Sequence, residues 1–278
     1  MNRVIKLILI FLALSINVQA QKKKRADKGV DTLITLREFM LVCNAYKELP
    51  LKLELELVNT TSFITSPEDT MQTRAEFYLQ KKASYIHFGN VEQLVNDSMA
   101  LMVSNTLRQM ILYPDAQRVL LQIKAMTGMQ MKDSSIAELS KKYQAQTESK
   151  GNDTTSITLV SRLPLYGTSI PKEMLELTYD SKTKTPFQVR TIRRTMIPLQ
   201  PADYDALKGN TEFADKLISL EEKGNYLIKE QVSSFIYSKI SHEPGINIPV
   251  TIADRITKNA AGEYIPAKGF AAYRLIIN

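Results

Sequence analysis

Leu51-Lys52-Leu53-Glu54-Leu55-Glu56-Leu57-Val58 is the stretch whose reading decides the fold. Leucine recurs at every second position, and Lys52, Glu54 and Glu56 fill the places between. A period of two belongs to a strand that is buried on one face, because successive side chains of a strand point to opposite sides. Burying the four leucines contributes about 6–12 kcal/mol before conformational entropy is counted. A slip of one residue would expose all four, so the pattern also sets the register.

Upstream the period is helical. Thr35-Leu36-Arg37-Glu38 has the spacing of a capping box, and Leu36, Phe39, Met40, Cys43 and Tyr46 follow at intervals of three and four. The spacing predicts one amphipathic helix ended at Leu49-Pro50. Downstream, Thr65 to Asp69 reads as a turn. Strands follow near 73–80, with Ala75, Phe77 and Leu79, and at Ser84, Ile86 and Phe88, ended by Gly89-Asn90. Short strands fit 91–96, 99–104 and 107–113, which makes a meander of antiparallel strands. Residues 115–126 suit either a helix or a strand.

Ser135-Ile136-Ala137-Glu138 is a second capping box and predicts a polar helix to about Gln146. Thr147 to Thr155 holds no large apolar residue and reads as a loop. Strands resume at Ser156 to Leu163, and Glu173 to Ile197 reads as a hairpin turning at Asp180 to Thr185. A helix from Pro201 through Leu207, extending toward Leu220, precedes strands near Tyr226–Lys229, Ser234–Ile240, Ile248–Ile252 and Tyr273–Ile277. No repeat and no clean linker divides the chain, so a single, mainly β domain is expected.

In this order the elements resemble the periplasmic lipoprotein carriers of the LolA type and their outer-membrane receptor relatives. The local likeness is strongest at Leu175-Glu176-Leu177-Thr178-Tyr179-Asp180, a turn, then Pro186-Phe187-Gln188-Val189. It spans roughly residues 35–197, and residues 198–278 lie beyond it. The resemblance implies a mainly β fold with some α: a curved antiparallel sheet or incomplete β-barrel whose concave apolar face is covered by helices and holds acyl chains. The likeness is one of element order, and no individual functional residue is carried over from it.

The first twenty residues have the three-part layout of a secretory signal peptide. Arg3 and Lys6 precede the apolar run Leu7 to Ile16, and Val18-Gln19-Ala20 ends it with small residues. Cleavage after Ala20 and a periplasmic location are expected. An uncleaved anchor is the other reading, supported by Lys22, Lys23, Lys24 and Arg25 just past the run. Residues 21–31 read as a flexible basic tail, whose four cations suit peripheral contact with a membrane surface. Residues 32–278 then form the folded domain.

Composition narrows the chemistry. The net charge of +7 falls by two when Arg3 and Lys6 leave, and four of the remaining cations sit in the tail, so the folded body is near neutral. Only Arg190, Arg193 and Arg194 form a tight basic group there, which argues against nucleic acid as a partner. The chain has one cysteine, Cys43, and two histidines, His87 and His242. Neither a disulfide nor a Cys/His zinc site is therefore expected, and no cofactor is implied. No Gly-x-Gly, P-loop or nucleophile-elbow pattern occurs, and Glu54/Glu56 and Glu221-Glu222 read as surface carboxylates. The chain is expected to be a non-enzymatic protein.

Six methionines, Met99, Met102, Met110, Met126, Met129 and Met131, gather in one region, and flexible thioethers suit either a core or an adaptable apolar cavity. Asp31-Thr32, Asp69-Thr70, Asp97-Ser98 and Asp153-Thr154 match a periplasmic O-glycosylation pattern, with Asp153-Thr154 the most exposed candidate. An apolar or acylated ligand, lipid or lipoprotein, is expected on one sheet face. The lining assigned to that face by strand alternation is Leu51, Leu53, Leu55, Leu57, Phe77, Leu79, Ile86, Phe88, Met99, Leu101 and Met110. The other reading is a structural or adaptor subunit of a cell-envelope assembly that docks envelope proteins on the same sheet.

Overall fold

The computed structural model describes residues 29–44, 48–116, 119, 133–221 and 224–278. The signal-peptide reading, the Lys22 to Arg25 contact, Tyr46 and Met126, Met129 and Met131 lie outside the described residues. Helix α1 (Gly29–Cys43) leads into strand β1 (Leu51–Thr61), followed by the meander β2 (Gln72–Leu79), β3 (Ser84–Phe88), β4 (Val91–Val95), β5 (Ala100–Ser104) and β6 (Gln109–Tyr113). Helix α2 (Asp133–Lys142) introduces a second meander of β7 (Tyr143–Gly151), β8 (Thr154–Ser161), β9 (Glu173–Asp180) and β10 (Pro186–Leu199). Helix α3 (Pro201–Lys208), β11 (Leu217–Leu220) and the long β12 (Gly224–Ser241) come next. A tail with the short hairpin β13 (Ile256–Lys258) and β14 (Tyr264–Pro266) ends in β15 (Arg274–Ile277).

All strands except the β13–β14 hairpin join one curved sheet that does not close into a barrel. The order is β15-β6-β5-β4-β3-β2-β1-β12-β10-β9-β8-β7, with β11 beside β12. Strand β12 is the joint: it pairs with β1 through residues 231–241 and with β10 through residues 225–236. One late strand thus sews together two meanders that each form from neighbouring sequence. A register shift at Glu54/Leu55 bends this seam, as an extra residue in an antiparallel pair does. There the Ser238 hydroxyl donates to the Glu54 carbonyl at 3.1 Å.

The leucine register of β1 is as its alternation requires: Leu51, Leu53, Leu55 and Leu57 are buried, while Lys52, Glu54 and Glu56 are half-buried on the other face. A continuous row crosses the seam on the leucine side. Leu57 stands opposite Phe235, Phe235 opposite Val189, Val189 opposite Leu177 and Leu177 opposite Ile157. At its far end α1 and α2 close over the row, packing Leu36, Phe39, Met40, Val42 and Ile136 on Tyr143, Ile157, Leu159, Leu177 and Tyr179. Helices and leucines therefore share one face of the sheet.

Several local expectations give way to tertiary context. Helix α1 begins at Gly29, so 29–31 are helical and Thr35 lies inside the helix; its hydroxyl meets that of Thr147 at 3.2 Å. Glu38 accepts from the Tyr179 hydroxyl at 3.0 Å and from Lys184 at 2.6 Å, tying α1 to the sheet instead of capping it. Burial, followed by the Glu38 carboxylate, pushes the Tyr179 phenol up to about 12. The expected 147–155 loop is the hairpin β7–β8, turned by Asn152 and Asp153 at φ 46 and 60. Strand β7 is outermost, so most of its residues stay exposed and its sequence can be polar. Helix α2 stops at Lys142, α3 stops at Lys208, and the two expected strands within 226–240 are one. Residues 248–251 form no strand; a turn of 3-10 helix follows at Ile252–Asp254.

Candidate functional site

The candidate site is the leucine face where it leaves the helices. Leu53 pairs with Phe77, which pairs with Ile86; Leu55 pairs with Ala75, which pairs with Phe88; Leu51 pairs with Leu79. Phe235, Tyr237 and Ile240 of β12 extend the cluster across the seam. Eight of the expected lining residues, Leu51, Leu53, Leu55, Leu57, Phe77, Leu79, Ile86 and Phe88, are thus brought to one face. Phe77 and Phe88 are only partly buried, whereas Leu51 and Leu57 are each 1% exposed.

Met99, Leu101 and Met110 do not join them. Leu101 stands in the row Lys52, Tyr78, Tyr85, Leu94, Leu101, Leu112, which is the opposite side of the sheet. Met110 pairs with Val103 on that side, and Met99 packs against the same cluster. The C-terminal tail covers this side with Ile248, Val250, Ile252, Ile256, Tyr264, Phe270 and Tyr273. Glu92, itself buried, holds the tail: it accepts from Arg255 at 2.8 and 3.0 Å and from Asn105 at 3.2 Å, while Tyr273 donates to Asn105 at 2.9 Å. Met102, not Met99 or Met110, is the methionine that strand alternation puts on the leucine side, since it pairs with Gln93 and Gln93 with Ile86.

Past Leu57 the leucine face turns polar. A cavity of about 150 Å³ opens there, with Leu57 and Phe235 on one side and Asn59, Asp69, Arg193 and Gln231 on the other. Asp69 is buried and fully engaged. Its Oδ2 accepts from Lys229 at 2.6 Å, from the Thr65 amide at 2.7 Å and from the Ser66 amide at 3.0 Å; its Oδ1 accepts from Gln231 at 2.9 Å. The Lys229 ammonium, then the Thr65 amide, holds this carboxyl well below the usual carboxylate range. Lys229 also donates to the Thr65 hydroxyl and lies near the Phe63 ring.

Two groups in the notch keep capacity for a ligand. Asn59 donates through Nδ2 to the Glu68 carbonyl at 3.0 Å, but its buried Oδ1 accepts nothing among the described residues. Arg193 is half exposed, and its contact with Glu173 is long at 3.9 Å. A donor group could satisfy the first and an anion the second. Sequence reading missed this end because Asp69 and Lys229 are 160 residues apart and only the sheet brings them together. The basic triplet is also divided: Arg190 pairs with Glu176 at 2.6 Å and Arg194 with Glu230 at 2.7 Å, on the side away from the notch.

The glycosylation-type tripeptides fare unequally. Thr32 and Asp69 are buried, and Ser98 is tied to Asn96 in a turn, whereas Asp153-Thr154 sits at the β7–β8 hairpin. Among the described residues no helix is long and apolar enough to cross a membrane, and no three His, Cys, Asp or Glu side chains gather as a metal site.

No family model matches the chain, and no curated protein matches it. Solved structures similar to it include a LolA superfamily protein from Nitrosomonas europaea, at 12% identity over 77% of this chain and 94% of that one, with a TM-score of 0.24. An outer membrane lipoprotein-sorting protein domain from Vibrio parahaemolyticus is 8% identical over 78% and 95%, with a TM-score of 0.23. A DUF1329 family protein from Desulfovibrio piger is 9% identical over 80% and 96%, with a TM-score of 0.26. The architecture rests on the strand pairing itself.

Proposed function

We propose that this chain is a non-enzymatic periplasmic protein that binds an apolar or acylated ligand, a lipid or a lipoprotein, along the leucine face of its sheet. One observation carries the reading: a continuous apolar face that begins under two helices ends in a polar notch with an unanswered acceptor and a loosely held cation. Such an amphipathic trough matches a molecule with an acyl chain and a polar head, the chain lying along Leu51 to Leu57 and the head meeting Asn59 and Arg193. Ligand contact at each of these residues is part of the proposal, as are the exported location and cleavage after Ala20.

The test is uptake of a fluorescent fatty-acid probe, together with native mass spectrometry of protein purified from its own envelope. The wild-type protein is expected to take up the probe and to carry lipid. Phe77→Asp is expected to lose the probe while keeping its circular dichroism, because Phe77 is only partly buried and tolerates a charge better than a core position. A folded wild type that takes up no probe and carries no lipid overturns the carrier reading.

A second reading rests on helix α1. Its outer flank leaves Leu33, Ile34 and Leu41 exposed at 39, 59 and 51%. An adaptor that docks an envelope protein on this flank would explain them. Stable co-purification of one protein partner, lost in Ile34→Ser and Leu41→Ser variants, would favour it.

A further inference from the structure

Of the large apolar side chains at the surface among the described residues, the four most exposed are Tyr166 at 71%, Leu107 at 70%, Ile64 at 68% and Leu163 at 63%. They come from three different loops, yet all three loops leave the sheet at the same end, a rim where β10 and β12 run on past them to Leu199 and Gly224. Thr61, the last residue of β1, stands opposite Gln231, which stands opposite Arg193, which stands opposite Glu173, the first residue of β9. The loop after β1, which bears Ile64, and the loop before β9, which bears Leu163 and Tyr166, therefore leave the sheet on the same side. The meander brings the third loop there too, since the Gly89 amide donates to Arg74 and the Asn105 amide to Asn90, stacking the turns that precede Leu107.

Cations flank these tips. Arg108 follows Leu107, and the Arg274 amide donates to the Arg108 carbonyl; both side chains are exposed. Arg162 precedes Leu163, and Lys172 closes the same loop, again exposed. Near Ile64 the exposed charge is acidic: Glu68, and Glu212 and Asp215 on either side of Phe213, whose ring packs on Phe63 at 6.2 Å. Isolated apolar knobs beside cations, with a tyrosine among them, are what an interfacial membrane contact uses: the knobs enter the acyl boundary while guanidinium and ammonium groups stay with the head groups.

We propose that this rim rests on an anionic lipid bilayer, inserting Leu107, Leu163, Tyr166 and Ile64. A bilayer fits better than a protein partner because the knobs are separated by several strands. A fluid surface accepts such a set, whereas a protein would need a matching pocket for each. The notch on the leucine face lies at the same end, since Asn59 is two residues from Thr61. The proposal stands independently of what that notch holds.

The chain contains no tryptophan, so a single introduced indole reports its own position. Leu107→Trp, Leu163→Trp and Tyr166→Trp variants of the full chain are mixed with vesicles of phosphatidylethanolamine and phosphatidylglycerol, with and without brominated acyl chains. Ile277→Trp is the control: Ile277 is 55% exposed but pairs with Leu112 at the opposite rim. Blue-shifted emission and bromine quenching are expected at the three tips, weaker with phosphatidylcholine alone, and absent at the control. Because the readout is local to each indole, attachment of the vesicle elsewhere on the chain does not imitate it. Solvent-like emission at all three tips, quenching equal at tip and control positions, or a shift that requires envelope protein in place of lipid would each overturn the proposal.

Discussion

The sheet carries an apolar row on each side, and the two sides are finished differently. On one, Tyr85, Leu94, Leu101, Val103, Met110 and Leu112 are sealed by the chain's own C-terminal tail, which the buried Glu92–Arg255 pair fastens. On the other, the leucine stripe passes from beneath two helices into a polar notch where the Asn59 Oδ1 accepts nothing among the described residues. The first side is a core because sequence-distant residues cover it and satisfy each other's charges. The second is graded along its length, which is the property a site for an amphipathic molecule needs.

Core replacements test this contrast most severely. Leu101→Ala and Leu55→Ala each remove a buried leucine and are expected to cost about 2–5 kcal/mol in denaturant unfolding. The two should part company in the probe assay: Leu55→Ala lowers uptake per folded molecule, and Leu101→Ala leaves it unchanged. Equal loss of uptake from both would mean that the two sides do not act separately.

Breaking a buried ion pair comes next. Arg255→Met leaves the Glu92 carboxylate buried without its cation, and a loss of about 3 kcal/mol is expected. Amide exchange should then quicken in the C-terminal tail before it does in β1. Lys229→Met makes the matching lesion on the notch side, with a comparable loss and faster exchange in residues 62–71. Uniform acceleration over the whole sheet would show that neither pair fastens a local element.

Acid adds a smaller, one-sided effect. The folded Asp69 carboxyl is held below its ordinary value of 3.8, so the unfolded chain takes up a proton first as pH falls. The stabilisation is complete well above 3.8 and drains away below it, toward the lowered folded value. Thermal midpoints measured between pH 5 and pH 2 should fall in the wild type and fall less steeply in Lys229→Met, where Asp69 has lost the main cause of its shift.

How much of this was legible follows from the length scale of each signal. The β1 alternation is local and complete, so register and burial could be read from eight residues. Ala100-Leu101-Met102-Val103 does not alternate in sequence, although in the sheet Leu101 and Val103 are buried under the tail and Met102 stays half-buried; a continuous apolar run gives no indication of which face is which. That is why Leu101, Met99 and Met110 fell on the wrong side in the sequence reading. The covering tail is short irregular structure with no period, so nothing announced the cover. Strand β7 read as a loop because an edge strand needs few apolar residues. The notch could not be read at all, since it exists only where β1, β10 and β12 meet.

The smallest expected effect is also the cleanest control on the register. Glu54 lies between Leu53 and Leu55 in sequence but on the other side of the sheet, where it contacts Lys52 at 2.7 Å with side-chain exposures of 34 and 23%. A same-strand pair this open to water contributes little, and its loss costs no buried surface on the leucine side. Glu54→Ala should therefore change stability by about half a kcal/mol or less and leave probe uptake intact. The neighbouring Leu55→Ala acts one position away and is expected to cost several times as much. Only opposite faces make adjacent residues so unequal, so comparable losses from the two substitutions would undo the strand register on which the whole trough depends.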